Sequence, residues 1–347
     1  MKKLLLTATL LSCAFGFAQH GLDKEVTNIE DKVIEWRRDF HQNPELSNRE
    51  FKTAEKIAAH LTSLGMEVQT GIAHTGVVGI LKGKKPGKVL ALRADIDGLP
   101  VPERADLPFK STAKGEFNGV EVPVMHACGH DTHIAILMGV AEIMSKNTDK
   151  IKGTIKFIFQ PAEEGAPEGE EGGAKMMIKE GVLKNPDVDA IFGLHIGSGQ
   201  PVNTIAYKSG GIMAAAQRFE INVKGKQTHG STPWTGIDPI MASVKIIDGL
   251  QTLISRESEL TNEAVVISVG KITSGVRNNI IPETAKIVGT IRTLDYDMQK
   301  HINNRMKEMV PAIAKAYRAE ATVDISDGTA ITFNHVELTK QMLPSLE

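Results

Sequence analysis

The sequence predicts an α/β protein, a mostly parallel sheet flanked by helices, carrying a smaller inserted α+β domain. Between residues 24 and 194, helix-period segments alternate with short apolar runs bounded by glycine and proline. From about residue 213 the texture changes to alternating strands with two amphipathic helices. The 347-residue length also exceeds a typical single domain, so two domains are expected.

Residues 24–65 read as helices, with Val33, Trp36 and Phe40 and then Phe51, Ala54, Ile57, Ala58 and Leu61 at helical spacing, broken at Asn43-Pro44. The runs 77–81 and 89–92 read as buried strands, and Asp131 opens an amphipathic helix through Ile134, Leu137, Val140 and Ile143. Residues 154–159 form another strand, followed by a loop, a helix near 174–180 and a strand at 190–194. Later strands are expected at 218–223, 264–269, 286–292 and 322–325, with helices at 239–255 and 297–317. The expected division is a catalytic domain over 19–212, resumed at 330–347, and an inserted domain over 213–329.

Residues 1–18 read as a signal peptide: Lys2-Lys3, an apolar run over 4–17, and Gly16-Phe17-Ala18 before a cut near Ala18. The box Leu10-Leu11-Ser12-Cys13 resembles a lipoprotein signal, but the apolar run continues past Cys13 and favours ordinary export, periplasmic or secreted. Cleavage removes Cys13 and leaves Cys128 alone, so an intrachain disulfide is excluded in the mature chain. With 40 basic against 42 acidic residues there is no basic footprint for nucleic acid, and no later stretch reads as a membrane span. A small substrate is expected.

Three apolar strands each run into residues that bind metal. Strand 89–93 leads to Asp95 and Asp97, strand 154–159 to Gln160-Pro161-Ala162-Glu163-Glu164, and strand 190–194 to His195. Open α/β sheets bind ligands beyond the carboxyl ends of their strands. Met125-His126-Ala127-Cys128-Gly129-His130-Asp131 adds a thiolate and imidazoles at a helix start. A lone strand-end histidine or a glutamate pair is ordinarily structural. Their convergence is what points to metal. Sulfur, nitrogen and carboxylate donors together favour Zn²⁺ while admitting Mn²⁺ or Co²⁺, and the donors outnumber one tetrahedral shell, so two divalent ions are expected. Of the two adjacent glutamates, one would bind metal and the other would act as general base.

The stretches Arg93-Ala94-Asp95-Ile96-Asp97-Gly98-Leu99-Pro100, His126-Ala127-Cys128-Gly129-His130-Asp131-Thr132-His133 and Gln160-Pro161-Ala162-Glu163-Glu164 resemble the metal-dependent aminoacylase and carboxypeptidase family that includes hippurate hydrolases and auxin-conjugate hydrolases. The likeness runs in order from about Val33 to Asn334. It implies a zinc-peptidase-like catalytic domain with a lid or dimerisation insert. Cys128, His130, Glu164 and His195 would be metal ligands, Glu163 the general base, and Asp97 the carboxylate that orients a ligand. His229, within Gly225-Lys226-Gln227-Thr228-His229-Gly230-Ser231-Thr232-Pro233, would polarise the scissile carbonyl. Asn279 and Arg292 resemble contacts to a substrate carboxylate, although a turn asparagine and a surface arginine are equally open readings. The resemblance further implies a homodimer through the insert. It also implies a further histidine-bearing segment of roughly 80–100 residues. Without it, residues 1–347 alone are expected to be inactive or unstable.

The expected activity is hydrolysis of the amide bond of N-acyl amino acids by metal-activated water. A dipeptidase or carboxypeptidase and a catalytically silent metal-binding dimerisation module are the alternatives. His133 is expected to be structural or merely nearby, His41, in residues 40–47, matches the family pattern without an obvious catalytic task, and His60, His74, His301 and His335 carry no assignment. The acidic, glycine-rich stretch 165–173 reads as a surface loop near the pocket mouth.

Overall fold

The first apolar segments become a layered α/β unit in the computed structural model, which describes residues 22–346. The expected signal peptide lies outside these residues. Two units divide between Gly199 and Gln200.

In the first unit, α1 (Asp23–Gln42) and α2 (Phe51–Ser63) precede β1 (Glu67–Ile72), β2 (Gly76–Lys82) and β3 (Lys85–Asp95). A small hairpin, β4 (Lys114–Phe117) and β5 (Val120–Pro123), leads to α3 (His130–Lys146), β6 (Lys152–Gln160), α4 (Gly173–Lys179) and β7 (Ala190–Gly193). The main sheet runs β1-β2-β6-β3-β7. β6, β3 and β7 are mutually parallel, whereas β1 and β2 are antiparallel, so the sheet is mixed. The antiparallel half arises locally. Ala73 and His74 adopt φ of 49° and 78°, turning the chain back in three residues, where a parallel crossover would need a dozen or more.

Helices cover both faces. Val77, Leu81, Ile155, Phe157 and Phe159 pack with Phe40, Ile57, Leu61, Ile134, Leu137 and Met138 on one side. Val78, Ile80, Ala91 and Ile158 pack with Met177 and Val182 on the other. That two-sided burial explains why these strands read as continuous apolar runs. Lys156 interrupts the pattern. Its stem is buried, and its Nζ donates to the carbonyls of Val182, Lys184 and Pro186 at 3.0, 2.7 and 3.3 Å, tying β6 to the segment that enters β7. Leu61 is fully buried on α2. Leu61→Ala is expected to lower unfolding stability by about 2–5 kcal/mol, read from denaturant midpoints.

The second unit starts with β8 (Gly210–Met213), β9 (Ala215–Lys224) and β10 (Thr228–His229). α5 (Pro239–Thr252), β11 (Val265–Ser274), β12 (Ile280–Ile281) and β13 (Thr284–Thr293) follow, then α6 (Tyr296–Ala316), β14 (Glu320–Ile325), β15 (Thr332–Asn334) and α7 (Val336–Met342). Its antiparallel sheet has the order β11-β13-β9-β14. One face of this sheet is apolar. Phe219, Ile221, Val223, Ile287 and Ile291 pack against Ile246 and Leu250 of α5 and against Met298, Ile302, Met306, Val310 and Ala314 of α6. The four-residue repeat on α6 produces that stripe. Asp238 and Asp295 cap α5 and α6, accepting from the amides of Ile240 and Met298 at 2.8 Å each. Residues 332–334 pair with β8 within this same unit.

Candidate metal centre

Strand register brings the acidic ends of the parallel strands level. Asp95 lies opposite Gln160 across β3 and β6, and Arg93 lies opposite Gly193 across β3 and β7. The chain then delivers Asp97, Glu163, Glu164 and His195 from the carboxyl ends of β3, β6 and β7, with His130 opening α3 beside them. Gly129 precedes that helix at φ 85°, and a Cβ there would sit 2.3 Å from Cγ2 of Ile196. The glycine is therefore required by both conformation and space.

Cys128, His130 and His195 form one group of donors with mutual distances within 4.8 Å, and His130, Glu163 and Glu164 form another. His130 belongs to both. Its Nε2 lies 3.8 Å from Glu163 Oε2 and 3.9 Å from Glu164 Oε1, while Cys128 Sγ lies 3.5 Å from His195 Nε2. His130 Nδ1 contacts the Asp97 carbonyl oxygen at 2.9 Å and Asp97 Oδ1 at 3.2 Å. That assigns the proton to Nδ1. Nε2, buried and without a hydrogen-bond partner, faces the other donors with its lone pair. Asp97 Oδ2 meanwhile accepts from Ser47 Oγ at 2.8 Å and from the Glu164 amide at 3.0 Å. Asp97 thus braces two of the sequence-predicted ligands at once.

A third group, Asp95, His130 and His133, also has donors close enough for metal. Hydrogen bonding argues against it. His133 Nδ1 is 2.6 Å from Asp95 Oδ1, and its Nε2 accepts from the Ile196 amide at 2.9 Å, so both ring nitrogens are engaged. Asp95 is also held by Arg93 at 2.6 Å. With its hydrogen bonds to Asp95 and to the Ile196 amide, His133 has a structural role. It fastens the segment after β7, next to His195, to α3.

The electrostatics fit a cation. Burial opposes charge on His130, yet the Asp97 hydrogen bond and the fields of Asp95 and Glu163 raise its pKa to about 9. Burial pushes the Cys128 thiol up to about 12, with Glu164, Glu163 and Asp95 adding to the shift. Burial, and then Asp95, likewise raise Glu163. The site is short of positive charge. A divalent ion would stabilise the Cys128 thiolate and the neutral His130 that ligation requires. The unpartnered Nε2 and the sulfur, nitrogen and oxygen donors around it fit that ion.

Several supporting residues have no role assigned from the sequence. Ser47 and Glu50 approach from the loop before α2, and His41 lies between Asp131 and Glu103 at 2.9 and 2.7 Å. Arg37 is a second partner of Asp131, at 2.9 Å. In the second unit, His229 pairs with Ile280 across β10 and β12, and the Gly230 amide donates to the Asn279 carbonyl at 2.8 Å. His229 on β10 and Asn279, just before β12, are therefore neighbours, and both are exposed. Arg292 is exposed on β13, opposite Ala216 and Val266.

Comparison with known proteins gives the chain's family. The family model described as peptidase family M20/M25/M40 matches residues 91–346. Thermostable carboxypeptidase 2 of Saccharolobus solfataricus is 44% identical over 327 residues, covering 94% of this chain and 80% of the relative. N-acetylcysteine deacetylase of Bacillus subtilis is 40% identical over 291 residues, covering 84% and 72% respectively. Among solved structures, Bacillus subtilis YxeP, described as a dinuclear metal binding peptidase, superposes with a TM-score of 0.76 at 35% identity, covering 92% of this chain and 81% of that one. With a strand-end donor cluster, the matching fold and these relatives, the chain belongs to peptidase family M20/M25/M40 and is a metal-dependent hydrolase of amide bonds.

Proposed function

We propose that this chain hydrolyses the amide bond of N-acyl amino acids, with Cys128, His130, Glu164 and His195 holding two divalent ions, Zn²⁺ favoured over Mn²⁺ or Co²⁺. The observation that carries the proposal is the buried, unpartnered Nε2 of His130, a residue common to two donor groups, 3.8 Å from the Glu163 carboxylate. Bound divalent ions supply electrophilic polarisation of the scissile carbonyl and acidify water. Glu163 is the base. Among the described residues its carboxylate takes no hydrogen bond, and its side chain is 38% exposed, so it can receive a proton from water and deliver it to the leaving nitrogen. Asp97 fixes His130 and the Glu164 amide so that this pair keeps its geometry. His229 is proposed to polarise the carbonyl, and Asn279 and Arg292 to recognise the substrate carboxylate. Export after cleavage near Ala18 and a homodimer through an inserted domain of residues 213–329 belong to the same proposal.

The 44% identical relative named as a carboxypeptidase favours a second reading, cleavage of peptides. Assays of the full-length protein with N-acetyl and N-benzoyl amino acids against free dipeptides, each with added Zn²⁺ or Mn²⁺, separate the two. The proposal expects kcat/KM at least about tenfold higher on the N-acyl substrates, a difference of ~1.4 kcal/mol in transition-state binding. A preference for the dipeptides contradicts it.

A further inference from the structure

Glu50 is a fully buried carboxylate in the loop that enters α2, and none of its hydrogen-bond partners is cationic. Its Oε1 accepts from the Ala162 amide at 2.9 Å, and its Oε2 accepts from Thr75 Oγ1 at 2.6 Å. Thr75 is itself 2% exposed, in the turn between β1 and β2. Burying a carboxylate is costly, and here burial pushes its pKa up to about 7. An apolar residue would fill the space at lower cost. What the carboxylate adds is an acceptor at the end of β6.

That end is where Glu163 and Glu164 leave the sheet. Ala162 is a non-glycine residue held at φ 47°, and its amide points away from the ladder after Gln160. Two buried carboxylates therefore hold the amides on either side of Glu163: Glu50 takes Ala162 and Asp97 takes Glu164. The neighbouring Asn48 extends the support. Its Nδ2 donates to Glu170 Oε2 and to the Glu171 carbonyl, at 3.0 Å each. We infer that Glu50 is a positioning residue that, through the Ala162 amide, sets the direction in which Glu163 and Glu164 project into the metal centre. The inference rests on the assignment of Glu164 as a ligand and deepens it.

The test is Zn²⁺ affinity of the full-length protein, read by competition with a chromophoric chelator, alongside thermal unfolding of the metal-free forms. Losing an outer partner of a metal ligand typically weakens metal binding by about 10–100-fold, and that loss is expected for Glu50→Ala. Glu50→Gln keeps an acceptor for the Ala162 amide and is expected to stay within about threefold of the parent. Leu61→Ala, on the helix that follows Glu50, serves as the control. It is expected to lower the melting temperature with no change in Zn²⁺ affinity, which separates positioning from general stability. If Glu50→Ala does not fold, Glu50→Asp carries the test, because it keeps the charge but withdraws the oxygens by one methylene. Parental Zn²⁺ affinity in folded Glu50→Ala or Glu50→Asp overturns the inference, as does a Glu50→Gln protein as deficient as Glu50→Ala. Glu164→Ala distinguishes the levels of failure. If Glu164→Ala leaves Zn²⁺ affinity unchanged, the ligand assignment itself falls, whereas a loss there with none in the Glu50 variants removes only the positioning role.

Discussion

Glu163→Gln is expected to lower turnover of the full-length enzyme by about 10²–10⁴-fold while the protein still binds metal. The amide keeps the shape and polarity of the side chain but cannot accept a proton from water at neutral pH. Glu163 takes no hydrogen bond among the described residues, so the substitution leaves no buried partner unsatisfied, and a stability change of more than about 0.5 kcal/mol is not expected. Steady-state kinetics, metal analysis and a thermal melt on one preparation check this. Comparable loss of metal and turnover would make Glu163 a ligand, and unchanged turnover would end its assignment as base.

His130→Ala is expected to have the larger effect on metal. Its Nε2 is the buried, unpartnered donor of the cluster, so the variant loses a direct ligand rather than an outer partner, and the affinity loss should exceed the ~10–100-fold typical of an outer partner. Stability follows by linkage. At a free-ion concentration a hundred times the dissociation constant, binding stabilises the folded state by about 2.7 kcal/mol, and the variant should forfeit that increment. A melt with and without Zn²⁺ measures it: His130→Ala gains less melting temperature than the parent on adding the ion.

The ligand candidates were legible because they sit where a strand pattern stops or, for Cys128 and His130, where a helix pattern starts. The runs ending at 93, 159 and 194 have apolar side chains on both faces, and their parallel pairing carries Asp95, Glu163, Glu164 and His195 to one edge. The packing that braces them was not legible. Glu50 meets Ala162 across 112 positions and Ser47 meets Asp97 across 50, and neither contact leaves a periodic or local trace. His133 shows the reverse difficulty. It stands beside the metal-binding motif with the right chemistry, and only its two hydrogen bonds, to Asp95 and to the Ile196 amide, show that it has no lone pair to offer. Strand β1 escaped notice because it is polar and largely exposed, with a glycine at 71, so alternation is absent. The mixed sheet has the same origin, since its antiparallel half depends on a three-residue turn at Ala73, His74 and Thr75 that no apolar pattern announces.

A calorimetric Zn²⁺ titration of the metal-free, full-length protein, run beside His130→Ala, tests the centre most directly. The parent should bind two ions per chain, and His130→Ala should lose high-affinity binding of at least one. A parent that binds no ion, or a His130→Ala protein that binds two with parental affinity, would contradict a metal centre built around His130.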